Sequence, residues 1–257
     1  MRLSVLIRGN NYIEKDRFGL PMDARKNIDS IIENIVAPVR ESNPDAKIYL
    51  ATYDSPALAE LQDKLGPCEL IKLDAQGSSQ IETYKEGLKH VFAQDEYDAL
   101  AVIRFDLQFR KKITDWNVDI SRDSIYFPFK EYKSYWRDHW RVGDAVHVIG
   151  KSAISHFYNA MIMNQLSGRA HLHLMYYFLR TMHANLRFIE DGYFDSNTLF
   201  ANPECDNPLY KIFNRPRLTT PSPSMSPYIA SSRASATAPV DLIASIRAPF
   251  AFSTHSS

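Results

Sequence analysis

Between residues 3 and 104 the chain repeats one pattern: a short apolar run, a turn, then a stretch whose apolar residues recur at helical spacing. The runs fall at residues 3–7, 47–53, 69–73 and 99–104. Ile28, Ile31, Ile32, Ile35 and Val36 mark a one-sided stripe over residues 24–40. Ser55-Pro56 opens a second, shorter helix, and a third covers residues 80–92. Strands and helices alternating in this order bury their apolar surfaces as a mostly parallel sheet with helices on both faces. Apolar residues make up 45% of the chain, enough to fill such a core.

After residue 106 the rhythm loosens. Strands are expected at 123–129, 144–149 and 186–189, and helices at 152–166 and 171–184. From about Thr219 the composition turns to Ser, Pro, Ala and Thr, with Pro221, Pro223 and Pro227 close together. Such a segment buries too little apolar surface to offset its ordering entropy. The expected organisation is a folded domain over 1–217 and a disordered tail over 218–257.

Several function classes lose support. Lys plus Arg and Asp plus Glu number 30 each, so bulk electrostatics do not favour nucleic acid as a partner. Cys68 and Cys205 fit no metal or redox spacing and read as free thiols. No signal peptide and no apolar run of about 20 residues is visible, so a cytoplasmic protein without a membrane span is expected. There is no G-x-G-x-x-G after the first strand, no G-x-x-x-x-G-K-[ST] loop, and no G-x-S-x-G elbow.

The chemistry-bearing residues gather at strand ends, where α/β sheets bind ligands. Arg104-Phe105-Asp106 closes the fourth run, and in extended backbone Arg104 and Asp106 leave the same side. A surface ion pair is the plain alternative. Arg8-Gly9 follows the first run, pairing a phosphate-forking cation with a residue that permits close approach. Tyr53 ends the second run. Gln80 and Tyr84 sit at the start of the third helix, whose N-terminus favours an anion. Asp144 precedes a later strand, and Glu190-Asp191 follows another, offering a general base or metal ligand. Trp136, His139 and Trp140 could stack on a sugar or simply pack. His147 reads as structural. His171 and His173, placed in a helix, would face different ways.

At these residues the chain resembles the GT-A class of nucleotide-sugar glycosyltransferases. Arg104-Phe105-Asp106 stands where that class has an Asp-x-Asp ending the fourth strand. The helix over residues 80–92, with Gly87-Leu88, is similar to the one before that motif, and Glu190-Asp191 looks like the acceptor-side acidic pair. Capsule, lipopolysaccharide and other polysaccharide glycosyltransferases with an Arg-x-Asp look most similar. The resemblance covers about residues 1–215. It implies a GT-A-like, Rossmann-like fold, a nucleotide-sugar donor, a glycan acceptor, and Mn²⁺ or Mg²⁺ on Asp106. Arg8, Gly9, Tyr53, Gln80, Tyr84 and Arg104 would bind the donor, with Asp191, Asp144 or Glu190 as catalytic carboxylates. Because Arg104 replaces the first Asp, it could neutralise the diphosphate itself. Two rivals are a non-catalytic nucleotide-sugar or carbohydrate binder on the same fold, and a nucleotidyl- or phosphoryltransferase with Asp106 and Asp191 as metal ligands.

Overall fold

The computed structural model describes residues 2–16, 19–74, 80–94, 97–119, 121–131, 140–169, 171–195 and 206–213. The expected tail over 218–257 lies outside the described residues, as do Trp136, His139 and Cys205.

Seven strands form the central sheet: β1 (Leu3–Arg8), β2 (Ile48–Tyr53), β3 (Glu69–Leu73), β4 (Ala99–Arg104), β5 (Ser124–Phe127), β6 (His147–Gly150) and β7 (Asn185–Phe188). Their spatial order is β7-β5-β6-β4-β1-β2-β3. All neighbours pair in parallel except β6, which runs antiparallel to both β4 and β5. The chain moves outward from β1 to β2 to β3, then returns to place β4 on the other side of β1. That reversal makes the carboxyl ends of β1 and β4 the switch point, where open α/β sheets take ligands in a crevice.

The helices follow the reversal. The first helical run, α1, covers residues 28–42, with a π turn at Ile32–Val36 ahead of Pro38. A proline ring clashes with the carbonyl four residues back, and a widened turn relieves this. A 3-10 turn at Ala24–Lys26 replaces the start expected for that helix. With α2 (Leu58–Leu65), α1 packs on the face bearing Val5, Ile7, Ala101 and Ile103. On the other face α3 (Gln80–Phe92), α4 (Ile154–Leu166) and α5 (Met175–Thr181) cover Leu6, Leu100 and Val102. Gly87 lets α3 sit close, since a Cβ there would lie 2.9 Å from a Leu6 methyl and 3.1 Å from Ala51 Cβ.

The later expectations need correction. The strand expected at 144–149 starts only at His147, so Asp144 lies in the segment entering β6. The helix expected from 171 starts at Met175, because the His173 carbonyl accepts the Val142 N–H and the His171 carbonyl accepts from Asn164. Tertiary bonds thus outcompete the first helical turn. No helix among the described residues is long and apolar enough to cross a membrane. Cys68 is a free thiol.

Candidate functional site

Side chains alternate along a strand, so Arg8 and Arg104 lie on the α3 side, two residues beyond Leu6 and Val102. Strand register sets Arg8 directly beside Arg104. Like charges so placed repel, and two carboxylates answer them. Asp106 Oδ1 accepts from Arg104 Nε at 2.8 Å, and Oδ2 accepts a second, short bond from Nη2. The turn carrying Asp106 is held in this aim by its neighbours. Asn27 donates to the carbonyls of Phe105 (2.6 Å) and Leu107 (2.9 Å), while Phe213 N–H donates to that of Asp106 (2.7 Å). The second carboxylate, Asp144, puts Oδ1 3.9 Å from Arg104 Nη1. Because β6 is reversed, the residues preceding it arrive at this edge, and Gln80 Nε2 donates to the Asp144 carbonyl at 3.1 Å.

Arg8 is less well served. It is 2% exposed, with its guanidinium 4.3 Å over the Tyr84 ring. Only Nη1 is engaged, by long contacts to Gln80 O (3.4 Å) and Thr83 Oγ1 (3.3 Å); Nε and Nη2 are buried without a hydrogen-bond partner. Burial lowers its pKa to about 10, so the group stays charged. Burying an ion costs several kcal/mol, and a desolvated cation–π contact returns only about 2 kcal/mol. Arg8 is thus a buried cation with two of its three guanidinium nitrogens unsatisfied.

Other buried polar atoms nearby also stand without partners: Tyr84 Oη, Tyr210 Oη and both ring nitrogens of His147. Tyr84 and His147 rings meet edge to face at 5.6 Å. Burial, reinforced by Arg8, drops His147 to about 3, so it is neutral. Burial, with Asp144 adding, raises the Tyr210 phenol well above its ordinary value.

An ion-pair chain extends from Asp144. Its Oδ2 lies 3.2 Å from His173 Nε2; His173 Nδ1 lies 2.8 Å from Glu131 Oε1; and Glu131 Oε2 accepts from Arg141 Nε at 2.5 Å. Burial alone would raise the Asp144 carboxyl, but His173, Arg104 and Arg8 outweigh it and hold it far below the usual carboxylate range. For Arg104, burial opposes the charge, and Asp106 and then Asp144 more than restore it.

Of the residues singled out from sequence, Arg8, Gln80, Tyr84, Arg104, Asp106 and Asp144 come together here. Gly9 adjoins them at φ +103°, with nothing within 4 Å of where a Cβ would stand. Tyr53 ends β2, buried, its carbonyl accepting from Asn11 at 2.9 Å. Glu190 and Asp191 follow β7 at the far edge, bound to Lys111 (2.6 Å) and Lys130 (2.9 Å). Trp140 lies against α5, stacked with Tyr176 and 3.8 Å from the Arg180 guanidinium. Sequence reasoning missed Glu131, Arg141, His173 and Tyr210. For Tyr210 a signal existed in the alternating Leu209–Ile212 run, which pairs with Leu107–Phe109. His147 and His173, one read as structural and the other set aside on helical geometry, both border the cluster.

These residues, as arranged, do not fit a divalent metal. Mg²⁺ and Mn²⁺ need free carboxylate oxygens, but both oxygens of Asp106 accept from Arg104, and those of Asp144 face Arg104 and His173. Among the described residues no three His, Cys, Asp or Glu side chains converge as a metal site.

Among solved structures, the chain is similar to the nucleoside-diphosphate-sugar pyrophosphorylase of Vibrio cholerae RC9, at 14% identity and a TM-score of 0.50 over 74% of this chain and 92% of that one. A nucleotidyl transferase from Methanothermobacter thermautotroptrophicus aligns at 9% identity and a TM-score of 0.46, covering 72% of this chain and 85% of that one. An active-site mutant of LgtC aligns at 10% identity and 0.47, covering 93% and 98%. The first likeness supports the fold. No family model and no curated protein matches the sequence. The mostly parallel α/β sheet flanked by helices that the sequence led us to expect is the fold of this chain, and it is similar to that of the Vibrio cholerae structure.

Proposed function

We propose that this protein is a glycosyltransferase that moves a sugar from a nucleoside-diphosphate donor to a hydroxyl of a glycan acceptor. The observation that carries this reading is Arg8: a buried, underpaired cation beside Arg104 in the crevice where the strand order reverses. In transfer the bond from the anomeric carbon to the diphosphate oxygen breaks, and the acceptor oxygen takes its place. Negative charge then builds on the departing diphosphate, and donors fixed in a dry site stabilise it. Arg8 and Arg104 supply those donors in place of a metal, with Gln80 beside them and Asp106 aiming Arg104. Gly9 lets the donor approach the backbone, Tyr84 backs Arg8, and Tyr53 ends the neighbouring strand.

An inverting reaction also needs a base for the acceptor proton. Asp144 is ill suited, because its cations suppress its basicity. Asp191, whose side chain is 82% exposed at the β7 edge outside that cluster, is the remaining assignment, with Glu190 beside it.

The test is a thermal-shift screen of UDP-, GDP-, CMP- and dTDP-sugars, each with and without Mn²⁺. Stabilisation by one nucleotide class, unchanged by Mn²⁺ and lost in Arg104→Ala, is the expected result. No shift with any donor would sink the reading, and a strict need for Mn²⁺ would return Asp106 to a metal. One observation favours binding without turnover: both carboxylates nearest Arg104 are already tied to cations. A donor that binds and is never consumed with any glycan acceptor would establish that alternative.

A further inference from the structure

His173 sits in the segment before α5, and both of its ring nitrogens face acceptors. Nδ1 is 2.8 Å from Glu131 Oε1 and 2.9 Å from the Val142 carbonyl, and Nε2 is 3.2 Å from Asp144 Oδ2. A neutral imidazole carries one N–H and one lone pair, so it would turn a lone pair toward a carboxylate. Only the doubly protonated ring satisfies every contact. We propose that His173 is an imidazolium that acts as a positioning residue for the donor site, its second proton keeping Asp144 from neutralising Arg8. This rests on the donor-binding reading above and goes beyond it by naming what regulates that site.

The charge inventory explains the effect. Among the described residues of the cluster the cations are Arg8, Arg104, Arg141 and protonated His173, and the anions are Asp106, Asp144 and Glu131. One positive charge is left over, and the unpartnered donors are on Arg8. If His173 loses a proton, the surplus disappears. Asp144, no longer held by an N–H, is then drawn to Arg104 and Arg8, where it competes with diphosphate.

The remaining neighbours agree with this assignment. His171, whose ring centroid is 5.1 Å from that of His173, is lowered to about 4 by burial and by the His173 charge, so it is neutral. His147, behind Asp144, is also neutral. Burial alone would lower His173, yet Asp144 and hydrogen-bonded Glu131 outweigh it, and Arg141 too, and raise it. A raised folded value means the effect is complete at low pH and fades as pH rises through that value.

The experiment uses the full chain in two arms. Nitrogen-15 NMR of histidine-labelled protein, with His173 assigned by its loss in His173→Gln, reports the ring directly. Both nitrogens should be protonated at pH 6, with a midpoint above about 6.5, the ordinary histidine value. Inorganic pyrophosphate titrations at pH 6 and 8.5 read the site. The ratio of wild-type to His173→Gln affinity cancels the probe's own titration. It should fall about tenfold, within the usual range for coupled sites. His173→Lys, a cation at both pH values, should abolish the step, and it carries the test if the Gln variant fails to fold. A singly protonated ring at pH 6, or pyrophosphate binding with a flat ratio, overturns this inference alone. No pyrophosphate binding at any pH overturns the donor-site reading and this role with it.

Discussion

Two groups of charges sit on the same edge of one sheet and behave differently. At the crevice between β1 and β4, Arg8, Arg104, Asp106, Asp144 and His173 come from four separate segments and share partners. At the outer edge, past β7, Glu190 pairs with Lys111 and Asp191 with Lys130, each carboxylate with its own lysine. The first group is the more buried, with side chains of Asp144, Asp106 and Arg104 8%, 17% and 18% exposed, whereas that of Asp191 is 82% exposed and that of Glu190 22%. A buried charge depends on its partner, since losing one partner strands the other, while an exposed pair contributes little. The crevice therefore holds charge under tension, which the diphosphate of the proposed donor would relieve. The outer edge holds charge at ease, as suits a group that meets an acceptor from solvent.

The largest blow to this contrast is Arg104→Met, which strands Asp106 and leaves Asp144 to His173. Urea denaturation should report a loss of about 3–5 kcal/mol, and a loss below about 1 kcal/mol would make the crevice an ordinary surface. Arg8→Met should behave in the opposite sense. Diphosphate affinity should fall by about 1.5–3 kcal/mol, the scale of charge-assisted bonds, in calorimetric titration. Stability should hold or rise, because the deleted cation was underpaired. A marked fall in stability would mean that Arg8 is a structural ion.

Smaller effects come from protons. His173 is raised in the folded chain, so the stability it contributes is full below about 6.5 and drains as pH climbs through its folded value. Asp144 is lowered, so its contribution is full above about 3.9 and drains as pH falls. Melting temperature should therefore peak between those limits, and His173→Lys should flatten the alkaline side. An alkaline flank that is unchanged in that variant would assign it to another group. The smallest stability effect belongs to the outer edge. Asp191→Asn should cost below about 1 kcal/mol while abolishing any sugar transfer observed, and retained transfer would remove Asp191 from the mechanism.

The parts legible in the sequence were those where local pattern and tertiary demand coincide. Residues 69–73, 80–92 and 99–104 occupy the elements their periodicity implies, because strands buried on both faces and a helix with one apolar stripe each declare themselves. Arg8, Arg104 and Asp106 were found because strand ends can be read from strands. His173 was missed because its neighbours imply a helix, and the bonds that hold it outside one come from Val142, far away in sequence. Glu131, Arg141 and Tyr210 lie in short segments whose pairing depends on residues remote along the chain, and no local periodicity reports that.

The side-by-side setting of Arg8 and Arg104 also bears on how the chain acquires its structure. A nascent piece ending at Arg104 contains every strand of the β3-β2-β1-β4 half, and by pattern it looks able to fold unaided. It would nonetheless align two guanidinium groups in a closing interior, with neither Asp106 nor Asp144 yet present. Pairing β1 to β4 becomes favourable only once the later chain delivers its carboxylates, one of them on the reversed strand's approach. A fragment ending at Arg104 should therefore be less stable than one carried on through Gly150, which adds both carboxylates.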